Sequence, residues 1–93
     1  MIEQLATAPT SGSRAAKMGR EARRLVLFDR AKDAVGGARR LGEIIDVCRR
    51  TVNHKLNAER RLTDWELKLT ADAIEAKARE LDQLAADIRQ VLA

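Results

Sequence analysis

Five side chains between Arg49 and Asn57, in the run RRTVNHKLN, have the types and spacing to read nucleic acid. Arg49 and Asn53 fall one helical turn apart, as do Asn53 and Asn57, and Arg50 and His54. Val52 and Leu56, four apart, share the opposite face. A guanidinium can donate two parallel bonds to guanine O6 and N7, and an Asn amide can pair with adenine N6 and N7. Each such pair is worth about 1–3 kcal/mol of base discrimination. The candidates for base contact are therefore Arg49, Arg50, Asn53, His54 and Asn57. Arg39, Arg40, Lys55, Arg60 and Arg61 are candidates for phosphate, contributing affinity and salt dependence but no sequence reading. Spacing alone leaves open which arginine takes a base and which a phosphate.

Other chemistry finds little support. One His, one Cys, no Tyr and no glycine-rich phosphate loop provide neither a nucleophile–base pair nor a metal set. No catalytic residue, metal, cofactor or small-molecule substrate is expected, and a single Cys forms no internal disulfide. Cys48, beside Arg49 and Arg50 at a helix start, reads either as a redox-sensitive thiol or as a small half-buried structural residue, the second being expected. Glu43 and Asp46 serve to keep the turn and surface soluble.

The elements that must position these side chains are read from Leu41 to Asn57, LGEIIDVCRRTVNHKLN. Ala38 to Asp46 forms a supporting helix with Leu41, Ile44 and Ile45 on its buried edge, and Cys48 to Asn57 forms a second helix. Gly42 is small where the second helix crosses the first, and Val47 flanks the turn. With its lead-in DAVGGARRLGEIIDV, this stretch resembles the Cro-like and lambda-repressor-like helix-turn-helix family of small bacterial and phage DNA-binding domains. The resemblance spans roughly Phe28 to Trp65, under half of the chain. Three positions depart from the family pattern: Asp46 replaces a turn Gly, Cys48 a capping Ser, and Lys55 an aromatic or apolar residue. Asp tolerates a left-handed backbone better than most residues, so the turn survives. Cys is the weaker cap.

Before this motif, Arg14 to Val35 reads as a helix that could break near Gly19, burying Leu25, Phe28 and Val35. Arg14, Lys17, Arg20, Arg23 and Arg24 form either an arm along the phosphate backbone or a solvated helix start. Gly36 and Gly37 close that helix. After the motif, Ala58 to Leu62 is a loop, and Thr63 with Glu66 forms a capping box for a last helix. Trp65 should pack back on Leu56 and the core.

In the last helix Leu67, Ile74, Leu81 and Ile88 recur every seven residues, joined by Leu84 and Val91. The early part of this stripe should pack on the preceding helices. Ile74, Leu81, Leu84, Ile88 and Val91 are assigned to dimerisation. Charge follows the same division. Arg14 to Arg61 carries +8, from fourteen basic against six acidic residues, while Leu62 to Ala93 carries −3. A basic block followed by a mildly acidic helix suits a DNA reader with a separate assembly element.

The expected fold is all-α: a helix-turn-helix domain of about four helices with a long C-terminal oligomerising helix. Residues 1–13 should be a flexible segment, 14–62 the DNA-binding domain and 63–93 the dimerisation helix. The expected function is sequence-specific transcriptional regulation by a homodimeric repressor on double-stranded DNA, at an inverted repeat whose half-sites lie one turn apart. A DNA-packaging or nucleoid-associated structural protein and an antitoxin-like regulator are the alternatives. No membrane span or signal-peptide pattern is evident, so the expected location is cytoplasmic, on the nucleoid.

Overall fold

The computed structural model describes residues 14–93, with side chains from Gly19 onward. The segment expected to be flexible, residues 1–13, lies outside the described residues, as do the side chains of Arg14 and Lys17. Four helices follow in order: α1 (Arg14–Val35), α2 (Ala38–Ile45), α3 (Arg49–Leu56) and α4 (Asp64–Leu92). The described residues contain no strand. The fold is all-α with the long helix last. α1 runs through Gly19 without the suspected break.

α1, α2 and α3 all stop in the same way. Past each helix the backbone turns to positive φ: Gly36 at 109° and Gly37 at 119°, Asp46 at 62°, and Ala58 at 62°. The next N–H donates back to a carbonyl five residues earlier. Gly37 bonds Lys32, Val47 bonds Gly42 and Glu59 bonds His54, each at 2.8 Å. This is the pattern that satisfies the orphan carbonyls of a helix end. Asp46 therefore does what a Gly commonly does here.

The core is small. Phe28, Leu41 and Val52 are fully buried, with Ile45 and Leu62 beside them. Leu25, Val35, Ala38, Ile44, Val47 and Leu56 pack around this centre from α1 to α3. Leu67 and Leu69 close it from α4. Gly42 is required by the turn itself. A Cβ there would stand 2.5 Å from the Val47 carbonyl oxygen and 3.4 Å from Val52 Cγ2. The tight contact is with the turn backbone rather than with the crossing helix.

Two polar staples tie α1–α3 to the start of α4. Arg24 Nη1 reaches Asp64 Oδ1 at 2.7 Å and Arg24 Nη2 donates to the Leu62 carbonyl at 2.9 Å. Lys55 Nζ donates to the Arg61 carbonyl at 2.7 Å and pairs with Glu66 Oε1 at 2.9 Å. The capping box is present, with Glu66 N donating to Thr63 Oγ1 and Thr63 N to Glu66 Oε1. Trp65 does not pack back on Leu56: it is 64 % exposed, with Lys68 Nζ 5.8 Å from its ring centre. Leu62 occupies the core position instead.

From Leu81 onward α4 runs free of the other helices. Leu81, Leu84, Ile88, Val91 and Leu92 are all at least half exposed. The radius of gyration is 17.0 Å, against about 13 Å for a compact chain of roughly 100 residues. Among the described residues, no helix is long and apolar enough to cross a membrane.

Candidate nucleic-acid interface

α3 sits on the surface with one side sealed. Val52 and Lys55 are buried beneath it. Arg49, Arg50, Asn53 and Asn57 are exposed on the other side, and the His54 side chain is half-exposed. The five base-reading candidates thus share one solvent-facing strip. On one flank Asn53 and Asn57 look over a groove against α1, lined also by Val26, Asp29 and Lys32. On the other, Arg50, Thr51, His54 and Arg60 line a second concavity. His54 Nδ1 lies 3.7 Å from Glu59 Oε1, so a carboxylate already faces that ring nitrogen.

Charge along α2, α3 and the loop after α3 is unbalanced. Among the described residues, Arg39, Arg49, Arg50, Arg60 and Arg61 have no acidic group within 4.0 Å. Arg40 is exposed and pairs with Glu43 at 3.1 Å, a solvated i,i+3 contact that an anion can replace at little cost.

Lys55 must be removed from the phosphate candidates. Its side chain is 7 % exposed and its ammonium is committed to Glu66 and the Arg61 carbonyl. Its place on the inward face follows from spacing: Val52, Lys55 and Leu56 stand at i, i+3 and i+4. Burial alone would push the Glu66 carboxyl up. The Thr63 N–H and the Lys55 ammonium outweigh that and hold it below its ordinary value. Arg24 likewise leaves the basic arm, since its guanidinium is spent on Asp64 and Leu62. Arg20 and Arg23 remain exposed on α1.

Cys48 precedes α3 without capping it through its side chain. It is exposed rather than half-buried, with Sγ 3.3 Å from Thr51 Oγ1. That hydroxyl, followed by the Thr51 backbone, lowers the thiol from its ordinary value. Among the described residues, no group of three or more His, Cys, Asp or Glu could hold a metal ion. Sequence reasoning missed Leu62 and Leu69 as packing residues and the Lys55–Glu66 pair as the joint behind α3. The loop assignment of Leu62 hid its burial, because only its position after the α3 turn carries it inward.

The fold and its exposed strip together define an all-helical protein whose third helix presents a basic, amide-bearing face. The chain matches no family model, no curated protein and no solved structure.

Proposed function

We propose that this protein is a sequence-specific DNA-binding transcriptional regulator. It acts as a homodimer on inverted-repeat DNA, with α3 inserted into the major groove. The observation that carries this reading is the strip on α3. Arg49, Arg50, Asn53 and Asn57 are exposed together, both arginines lack an acidic partner among the described residues, and Val52 and Lys55 lock the helix from behind. These are the groups that discriminate guanine and adenine edges in the major groove. Arg39, Arg40, Arg60 and Arg61 supply phosphate contacts around it. The resemblance of residues 28–65 to Cro-like helix-turn-helix domains points the same way, as does the basic charge of residues 14–61. The bare apolar stripe of α4 supplies the second copy. Repression follows from covering promoter DNA, and the working location is the nucleoid.

Selection of bound fragments from genomic DNA, followed by salt-titrated binding, tests the reading. The expected result is a short inverted repeat bound at least about a thousandfold more tightly than random DNA. Enrichment without a motif, with a steep salt slope, would sink it and favour a packaging or nucleoid-associated role.

A further inference from the structure

The heptad face of α4, apolar except at Thr70 and Lys77, meets two environments. Leu67, Thr70 and Ile74 stand at the same heptad positions as Leu81, Leu84, Ile88 and Val91. In the first half this face turns toward the other helices. There Val35, Arg40 and Ile44 line a groove with α4 residues as far along as Lys77 and Glu80. From Leu81 onward the same face is bare.

We propose that the bare half pairs antiparallel with the same segment of a second copy. Leu81 lies opposite Val91 of the partner subunit, and Leu84 opposite Ile88 of the partner subunit. This deepens the homodimer of the reading above and does not depend on its DNA contacts.

Two observations choose the direction. The first is steric. Packed helix axes lie about 8–10 Å apart, and one helix is itself about 10 Å thick. In a parallel pair the seam face of each α4 would look at the partner at every level, including residues 67–77. Along that stretch the copy's own α1 and α2 already stand against α4. Two such bodies cannot stand between axes held together only a few turns further on, because α4 is one unbroken helix. In the antiparallel pair the two bodies stand on opposite sides of the two-fold axis, so neither meets the other.

The second observation is the asymmetry of the flanks. On one side of the seam lie Ala78, Ala85 and Leu92, and on the other Glu80 and Asp87. Parallel pairing sets each apolar flank against an acidic one, so Leu92 would face an Asp. Antiparallel pairing joins apolar flank to apolar flank, with Ala85 against its own counterpart near the two-fold axis. It also brings the two Asp87 side chains to one solvated side, where water and salt screen them. Gln83 Nε2 already donates to Asp87 Oδ1 at 2.9 Å. Burial of the Leu92 flank and the steric demand agree, and the screened repulsion is the smaller effect.

One consequence reaches the DNA. α3 is tied by Lys55 to Glu66, near the start of α4. At 1.5 Å per residue, a two-fold axis at the level of Ala86 sets the two α3 helices roughly 50–60 Å apart along α4. That exceeds one DNA turn and approaches two, about 68–72 Å.

Single-cysteine variants in a Cys48→Ser background test the arrangement. Ala85→Cys should oxidise to a covalent dimer, since those residues meet at the axis. Spin labels at exposed Glu75→Cys should lie about 15 Å further apart than labels at exposed Ala86→Cys, because Glu75 stands eleven residues from the axis level. Equal spacings at the two positions, or no Ala85 cross-link, would overturn the antiparallel seam and leave the dimer standing. A monomer in sedimentation would overturn both. Whether α3 reads bases is decided separately by the fragment-selection assay.

Discussion

Gly42, Ala58 and Asn53 carry three different burdens. At Gly42 a methyl group would collide with a backbone carbonyl that the turn holds in place, so nothing flexible can yield. Gly42→Ala should lower unfolding free energy by about 2–3 kcal/mol in denaturant titration. An unchanged midpoint would mean that the turn is looser than this geometry requires. Ala58 holds a left-handed backbone at φ 62° with a Cβ that crowds the following carbonyl oxygen. Ala58→Gly should raise stability by about 1 kcal/mol, the cost of that conformation for an L residue. Loss of stability instead would show that backbone entropy outweighs the relieved strain. Asn53 makes no fold contact that explains its type, so Asn53→Ala should leave the melting temperature in place. It should weaken cognate binding by about 1–3 kcal/mol with little effect on random DNA. Equal loss on both would deny α3 a base-reading role.

Among the elements, the joint between α3 and α4 matters most. Lys55 leaves α3 and ends in the capping box that starts α4, so one ion pair joins the two helices directly. Glu66 is its acidic half, with a carboxyl held below the ordinary carboxylate value of about 4.3. A depressed folded value stabilises fully above the unfolded value, and the contribution disappears as pH falls through the folded one. Glu66→Gln should therefore be less stable than the parent near pH 7, with the gap narrowing as pH falls below the ordinary carboxylate value and closing once the folded Glu66 is protonated. A gap that stays constant as pH falls from 7 into the acid range would assign the loss to packing rather than to charge. Arg60, by contrast, is exposed and unpaired among the described residues. Arg60→Ala should reduce the salt slope of DNA binding by about one without changing sequence preference.

For the whole molecule, the question is what covers the far half of α4. An exposed row of Leu81, Leu84, Ile88 and Val91 on a free helix is a surface that water disfavours. Leu81→Asp with Ile88→Asp should yield a monomer of unchanged helicity whose DNA affinity is weak, since one copy reaches one half-site. Dimers that survive the double substitution would place the interface elsewhere.

Much of this architecture was legible in the residues alone. Helix-period apolar spacing marked α1 to α4, Gly36 and Gly37 marked a stop, and Thr63 with Glu66 marked a start, because each signal acts within a few residues of chain. The strip Arg49, Arg50, Asn53, Asn57 was equally legible, being a matter of periodicity on one short helix. Spacing could not reveal what lies across a gap of sequence. Only the packed chain brought Glu66 to Lys55, Asp64 to Arg24 and Leu62 into the core, and only it left Trp65 in water. A lysine on an apolar face, an arginine on a basic helix and a tryptophan beside a cap each have two local solutions. Local propensity fixes which helices form. Which charges are spent inside and which remain for a partner depends on contacts between residues far apart in the chain, and those exist only once the helices have docked.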